Sequence, residues 1–281
     1  MVGTPLRTSR VRISEDVELH VEESGHGDQS IVFIPGLAMS TKVFSKQLSY
    51  FQGSNVYRFI TYDPRGHGLS TKTWGGHFYE QHGRDLNALI EFMNLDRIVL
   101  CGWSFGVFEA LAYIDQFGTD RLSGLIMLDG PPKARGADNQ AQWVTYRYDD
   151  ADGFEELFTV GFLRDRAAAN VEFAMWMLEE KSESNISWVC EISDRTPSET
   201  ASLLNAAGAF LDYSEVLRGL DGVLPLLYVV SESVKDVVFK WRDENTPSAR
   251  VEAFGKHLMF WERPDEFNDV LLRYLSIVST K

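Results

Sequence analysis

Ser104 is the residue in this chain best placed to act as a nucleophile. It sits at the centre of Gly102-Trp103-Ser104-Phe105-Gly106. An apolar, β-branched run, Ile98 to Cys101, leads into this turn, and Val107 to Phe117 leaves it with helical patterning. Strand, sharp turn and helix are the setting of a nucleophile elbow, which exposes a serine Oγ at the carboxyl edge of a sheet. The N–H of Phe105, at the start of the helix, is free to donate to an oxyanion. A serine hydroxyl needs a base, and the chain has six histidines. His20 and His26 fall in a first hairpin, and His67 falls in a turn. His77 and His82 are five apart, which does not place two metal ligands on one helix face, so no metal is expected. His257, in Gly255-Lys256-His257-Leu258, follows the last strand. The order Ser…His with an acid between them suits the base role. Two strand ends offer the acid that would orient the imidazole. Asp129 follows Leu122–Leu128 at once, and Asp236 lies in the loop after Leu224–Val230.

The elements that must carry these residues are readable in order. Arg10 to Ile13 and Val17 to Glu23 alternate apolar and polar residues, as an antiparallel pair would. Ser30–Ile34 is a continuous apolar run, and further strands read from Tyr57–Tyr62, Arg97–Trp103, Leu122–Leu128, Leu224–Val230 and Ala249–Phe254. Helical stripes separate them, among them Leu86, Leu89, Ile90 and Met93. Such alternation predicts a mostly parallel sheet with helices on both faces. Ligands bind such sheets beyond the carboxyl ends of the strands. Ser104, Leu37, Asp129 and His257 all follow strand ends and converge on that rim. Between residues 133 and 219 the alternation stops. Helical periodicity and aromatics, including Trp143 and Trp176, replace it. A structureless loop of that length is implausible, so the stretch reads as a helical cap inserted into a core of residues 1–132 and 220–281.

Pro35-Gly36, Asp63-x-Arg65-Gly66-x-Gly68-x-Ser70, Gly102-x-Ser104-x-Gly106 and Gly255-x-His257 together resemble the α/β-hydrolase superfamily. The resemblance spans essentially the whole chain. It implies an eight-stranded, mostly parallel sheet flanked by helices, with an inserted cap. It also implies an oxyanion hole built from the N–H groups of Leu37 and Phe105. The branch is similar to single-domain esterases, lactonases and cofactor-free haloperoxidases. Most of the family carries its acid after the seventh strand, and Val234 stands where that aspartate would fall, with Asp236 two residues late. Some branches take the acid from the end of the sixth strand, 25 residues after the nucleophile. Asp129 is therefore the preferred acid and Asp236 the alternative. One such branch is the cofactor-independent 2,4-dioxygenases that open 3-hydroxy-4-oxoquinoline rings. They share the Arg-Gly-His-Gly-Leu-Ser loop but carry a histidine where this chain has Met39.

Composition narrows the alternatives. With 41 acidic and 27 basic residues, the formal charge is −14, which argues against nucleic-acid or anionic-membrane partners. The polar start of the chain lacks the apolar core of a signal peptide. Cys101 and Cys190 read as free thiols, and a cytoplasmic location follows. No cofactor is expected, and a homodimer stays open. Three functions compete. The first is a serine hydrolase acting on an ester, thioester or lactone of an apolar or aromatic small molecule, with Gly36, Trp103, Trp143 and Trp176 touching substrate. The second is a cofactor-free dioxygenase on the same residues. The third is a non-catalytic ligand receptor.

Overall fold

A computed structural model describes residues 6–138, 141–149 and 153–278. Eight strands form one sheet in the order β1-β2-β4-β3-β5-β6-β9-β10. They are β1 (Arg7–Arg12), β2 (Glu18–Gly25), β3 (Gln29–Ile34), β4 (Tyr57–Tyr62), β5 (Ile98–Trp103), β6 (Leu122–Leu128), β9 (Leu226–Val230) and β10 (Arg250–Ala253). β2 is antiparallel to both of its neighbours, and every pairing from β4 through β10 is parallel. Every residue of β3, β5 and β9 is buried. That is why these strands read as unbroken apolar runs rather than alternating ones.

Helices cover both faces. α1 (Ser45–Tyr50) and α12 (Pro264–Val278) pack together on one side, where Phe267 meets Phe33 of β3 at 6.2 Å between ring centroids. On the other side α2 (Tyr79–Phe92) packs along α3 (Gly106–Phe117). α3 starts directly after the serine turn. A Cβ on Gly102 would collide with the Gly106 carbonyl oxygen, and a Cβ on Gly106 would sit 2.5 Å from the Ile34 oxygen. Both residues are glycine because strand and helix approach too closely here for a side chain.

Buried polar residues hold the loops that follow β3 and β4. Asp63 accepts from the Thr41 amide at 2.7 Å and the Leu69 amide at 2.6 Å, which joins the two loops. Arg65 is clamped bidentately by Asp85 of α2, at 2.7 Å for each bond. Glu22 Oε1 takes bonds from Thr41 Oγ1, Lys42 Nζ and the His20 ring. Burial alone would raise the Glu22 carboxyl pKa. The three bonds and the Lys42 charge outweigh it and hold the pKa down at about 2.

Residues 133–219 do not continue the main sheet. The expectation of helices alone is incomplete, because β7 (Lys133–Gly136) and β8 (Val144–Arg147) pair as a small parallel sheet. These four-residue strands are too short to stand out from the helical patterning around them, although burial along β7 alternates. Helices follow: α4 (Phe154–Glu156), a π turn at Leu157–Gly161, α5 (Phe162–Arg164), α6 (Arg166–Met177), α7 (Glu183–Ser193), α8 (Ser198–Gly208) and α9 (Ser214–Gly219). After β9 come α10 (Lys235–Asn245) and, beyond β10, α11 (Met259–Glu262). Cys101 and Cys190 are both free thiols. Among the described residues no helix is long and apolar enough to cross a membrane.

Two stability predictions follow from these contacts. Gly102→Ala forces a methyl group onto the Gly106 carbonyl, and overpacking of this kind costs about 1–3 kcal/mol. Urea unfolding should show a lower midpoint, and an unchanged midpoint would mean the turn yields without cost. For Glu22, the folded pKa lies below the ordinary 4.5, so its stabilisation is complete above pH 4.5 and is lost as pH falls towards 2. At most about 3 kcal/mol is involved. Glu22→Gln should flatten the wild-type stability-against-pH curve in that window, and parallel curves would contradict this.

Candidate active site

Ser104 sits between β5 and α3 with φ +55°, a left-handed conformation that side chains other than glycine rarely adopt. Two bonds fix it there. Its N–H donates to the Leu128 oxygen at 2.9 Å, and its own carbonyl accepts from the Val107 amide at 3.0 Å. Gly36 packs directly against it, where a Cβ would come within 2.9 Å of Ser104 Cβ and 3.4 Å of Oγ. The missing side chain lets the loop after β3 reach the hydroxyl. Neither the Leu37 nor the Phe105 amide has a hydrogen-bond acceptor among the described residues. Both belong to the segments that flank Ser104, the loop after β3 and the start of α3.

Asp129 ends β6 and also has positive φ, at +44°. Its N–H bonds the Val229 oxygen at 2.8 Å. Carboxylate Oδ1 accepts the Ser231 amide and Oδ2 accepts Nδ1–H of His257, each at 2.7 Å. Both side chains are below a tenth exposed. A carboxylate on Nδ1 fixes the tautomer with the lone pair on Nε2. The Nε2 atom is buried and has no hydrogen-bond partner among the described residues. Asp236 is elsewhere: it lies exposed in the first turn of α10 and makes no bond to His257. Asp129, rather than the alternative Asp236, thus meets the imidazole. Glu232, in the same loop, pairs with Lys235 instead.

Ser104, Asp129 and His257 open onto one cavity of about 390 Å³, within the usual size for small-molecule sites. Phe105, Trp143, Phe154 and Trp176 supply aromatic walls, and Thr145 and Ser233 supply hydroxyls. Trp143 is braced by Tyr228 and Trp241, with ring centroids 5.1 and 5.3 Å away. Trp176, on α6, lies 4.4 Å from the His257 ring. Gly36 does not line the cavity, and neither does Trp103, against expectation. Its alternating position on β5 turns it into the core, fully buried, where its Nε1–H donates to the His257 carbonyl at 2.9 Å. Its role is to seat the histidine loop.

Three of the remaining histidines, all buried, bond loops or the core. His67 Nδ1 bonds the Arg65 carbonyl at 3.0 Å, and burial pushes its pKa down to about 3. His77 bonds the Thr73 carbonyl, and His82 meets Glu109 of α3. Among the described residues no three His, Cys, Asp or Glu side chains are grouped as a metal ion would need. Sequence reasoning missed Phe154, Thr145 and the Ser231 amide. The first two lie in elements of three or four residues, α4 and β8, too short to carry a readable pattern, and a main-chain donor leaves no mark on residue type.

A family model described as the alpha/beta hydrolase fold matches residues 29–174. A protein of Synechocystis sp. named as a non-heme chloroperoxidase is 24% identical over 93% of this chain and 96% of its own length. Among solved structures, a bromoperoxidase from Bacillus anthracis superposes with a TM-score of 0.83 at 25% identity, covering 96% of this chain and all of that one. An esterase from Exiguobacterium antarcticum superposes with a TM-score of 0.81 at 22% identity, over 96% and 100% of the two chains. With the elbow, the parallel sheet and a matching family model over more than half its length, this chain belongs to the α/β-hydrolase superfamily.

Proposed function

We propose that the protein hydrolyses carboxylic esters, thioesters or lactones of apolar or aromatic small molecules. Ser104 Oγ attacks the carbonyl carbon as its proton passes to His257 Nε2. The N–H groups of Leu37 and Phe105 hold the oxyanion of the tetrahedral intermediate. The intermediate collapses, and His257 returns the proton to the departing alcohol, thiol or ring oxygen. Water, deprotonated by His257, then attacks the acyl group, which leaves as the acid and frees Ser104. Asp129 keeps the imidazole in its working tautomer and stabilises the imidazolium.

The observation that carries this reading is the Asp129–His257 bond, whose far nitrogen is free on the same cavity as a left-handed serine. The aromatic walls and the absence of any lysine or arginine among the cavity-lining residues support an uncharged, apolar substrate. Residues 133–219 act in this reading as a cap, since Trp143, Thr145, Phe154 and Trp176 all come from them. The esterase among the similar structures agrees with acyl chemistry on this scaffold. A set of groups so complete also speaks for catalysis over a passive receptor.

The position of the acid at the end of β6 favours one second reading, the cofactor-free dioxygenase. There His257 would take a proton from a heteroaromatic hydroxyl and the resulting anion would react with dioxygen. The residue that aligns with that branch's loop histidine, Met39, is buried in the core and lines no part of the cavity, so this reading ranks below hydrolysis.

Turnover of short p-nitrophenyl esters tests both. Ser104→Ala should abolish turnover and labelling by a fluorophosphonate probe. Asp129→Asn should lower kcat by about 10⁴-fold, the scale seen when a triad loses its tautomer-fixing acid. Asp236→Asn should stay within about twofold of wild type, as expected of an exposed residue outside the site. Wild-type inactivity on all esters, with oxygen uptake on 3-hydroxy-4-oxoquinolines, would move the assignment to the second reading.

A further inference from the structure

A second, far smaller cavity touches both segments that carry the proposed oxyanion donors. Residues 35–37 of the loop after β3 line it, as do Phe105 and Gly106 at the start of α3. His67 of the loop after β4 and His82 of α2 line it as well, and Leu204 of α8 closes it. Its volume is about 10 Å³. A buried water needs roughly 10–15 Å³, so there is room for one water molecule and nothing larger.

The walls are polar. His82 is 2% exposed, and its Nδ1 meets Glu109 Oε2 at 3.1 Å. Glu109 Oε1 takes the Tyr62 hydroxyl. With Nδ1 committed, Nε2 is the polar atom His82 can offer the cavity. That nitrogen is buried and has no hydrogen-bond partner among the described residues. Leaving such an atom unpaired is costly, and buried polar groups are as a rule paired with protein or with ordered water. His67 adds a second ring. Its Nδ1–H goes to the Arg65 carbonyl at 3.0 Å, and burial holds the ring neutral, which leaves Nε2 an acceptor. The two imidazoles stand edge to face with centroids 6.2 Å apart, a separation that one bridging water can span.

We propose that this cavity is a binding site for one water molecule, held by His82 and His67, which ties the Gly36-Leu37 segment to α2. His82 is thereby a positioning residue for the oxyanion hole. The site itself stands on the cavity and the orphaned nitrogen, whereas its part in catalysis rests on the hydrolase reading above. A buried water makes about three hydrogen bonds. The imidazoles take two, and the main chain of Gly36 supplies the third. The loop's other ties lie farther along, from the Thr41 amide to Asp63, and within its own turn, from the Met39 amide to the Gly36 carbonyl. The water holds the stretch between β3 and that turn, where the Leu37 N–H must keep its direction as the oxyanion forms.

The test pairs a wild-type crystal structure with ester kinetics of His82→Asn and His82→Gln. An asparagine amide stands where Nδ1 stood and keeps the Glu109 bond, with nothing at the Nε2 position. Glutamine reaches the Nε2 position. In the wild-type crystal an ordered water should lie about 2.7–3.2 Å from His82 Nε2. Clear density for both imidazoles and none between them would overturn the site, however the variants fold. Losing an oxyanion donor outright costs about 10²–10³ in kcat, and loosening one should cost less. His82→Asn should lower kcat on short p-nitrophenyl esters by ~10-fold with KM within about twofold, the mark of an interaction made in the transition state alone. His82→Gln should recover most of that loss. An unchanged kcat in His82→Asn, or equal losses in both variants, would overturn the positioning role. If wild type holds the water but hydrolyses no ester, the hydrolase reading and the positioning role fail while the water site stands.

Discussion

The candidate site depends on one backbone constraint: Ser104 is held at φ +55°. A non-glycine residue in that region carries strain of order 1–3 kcal/mol and persists only where its surroundings enforce it. Here the enforcement comes from both flanks. The Leu128 oxygen holds the serine N–H from the neighbouring strand, and the Val107 amide holds its carbonyl from the helix. The strand and helix meet at Gly102 and Gly106 with no room for a Cβ. The same crowding brings Gly36 against the serine.

The second support is the tying of loops to buried charge. Asp63 ties the loop after β4 to the loop after β3, Glu22 holds Thr41 and Lys42, and Asp85 fixes Arg65. These groups lie outside the cavity. They are costly to bury and are kept satisfied, so the Gly36-Leu37 segment is preset rather than assembled on binding.

Much of this was legible in the residues. Apolar runs separated by helical stripes placed the inner strands within a few positions, because a parallel sheet buried on both faces leaves no alternation to confuse the reading, while β1 and β2 were legible from the alternation of an antiparallel pair. The elbow, His257 and the preference for Asp129 were legible because those residue types are tied to fixed strand ends. Other features were hidden for physical reasons. β7 and β8 are four residues each, too short to stand out from the helical patterning around them. Trp103 reads from sequence as a neighbour of the nucleophile, yet it faces the core, because successive side chains on a strand point to opposite faces. The choice between Asp129 and Asp236 turned on three-dimensional reach. Of the aromatics between residues 133 and 219, Phe158 and Phe162 are core packing while Phe154 and Trp176 line the cavity, and sequence alone does not separate the two groups.

The placement of Asp129 on β6 leaves the loop after β9 with little to do for the histidine. That loop gives the aspartate one main-chain N–H, from Ser231, and any residue except proline supplies the same bond. Its side chains, Ser233 and Val234 among them, face the cavity instead. Mutation can therefore reshape one wall of the cavity while the Asp129–His257 pair stays untouched. The fold thereby gains a tunable surface next to a fixed aspartate–histidine pair, a foothold for divergence towards new substrates.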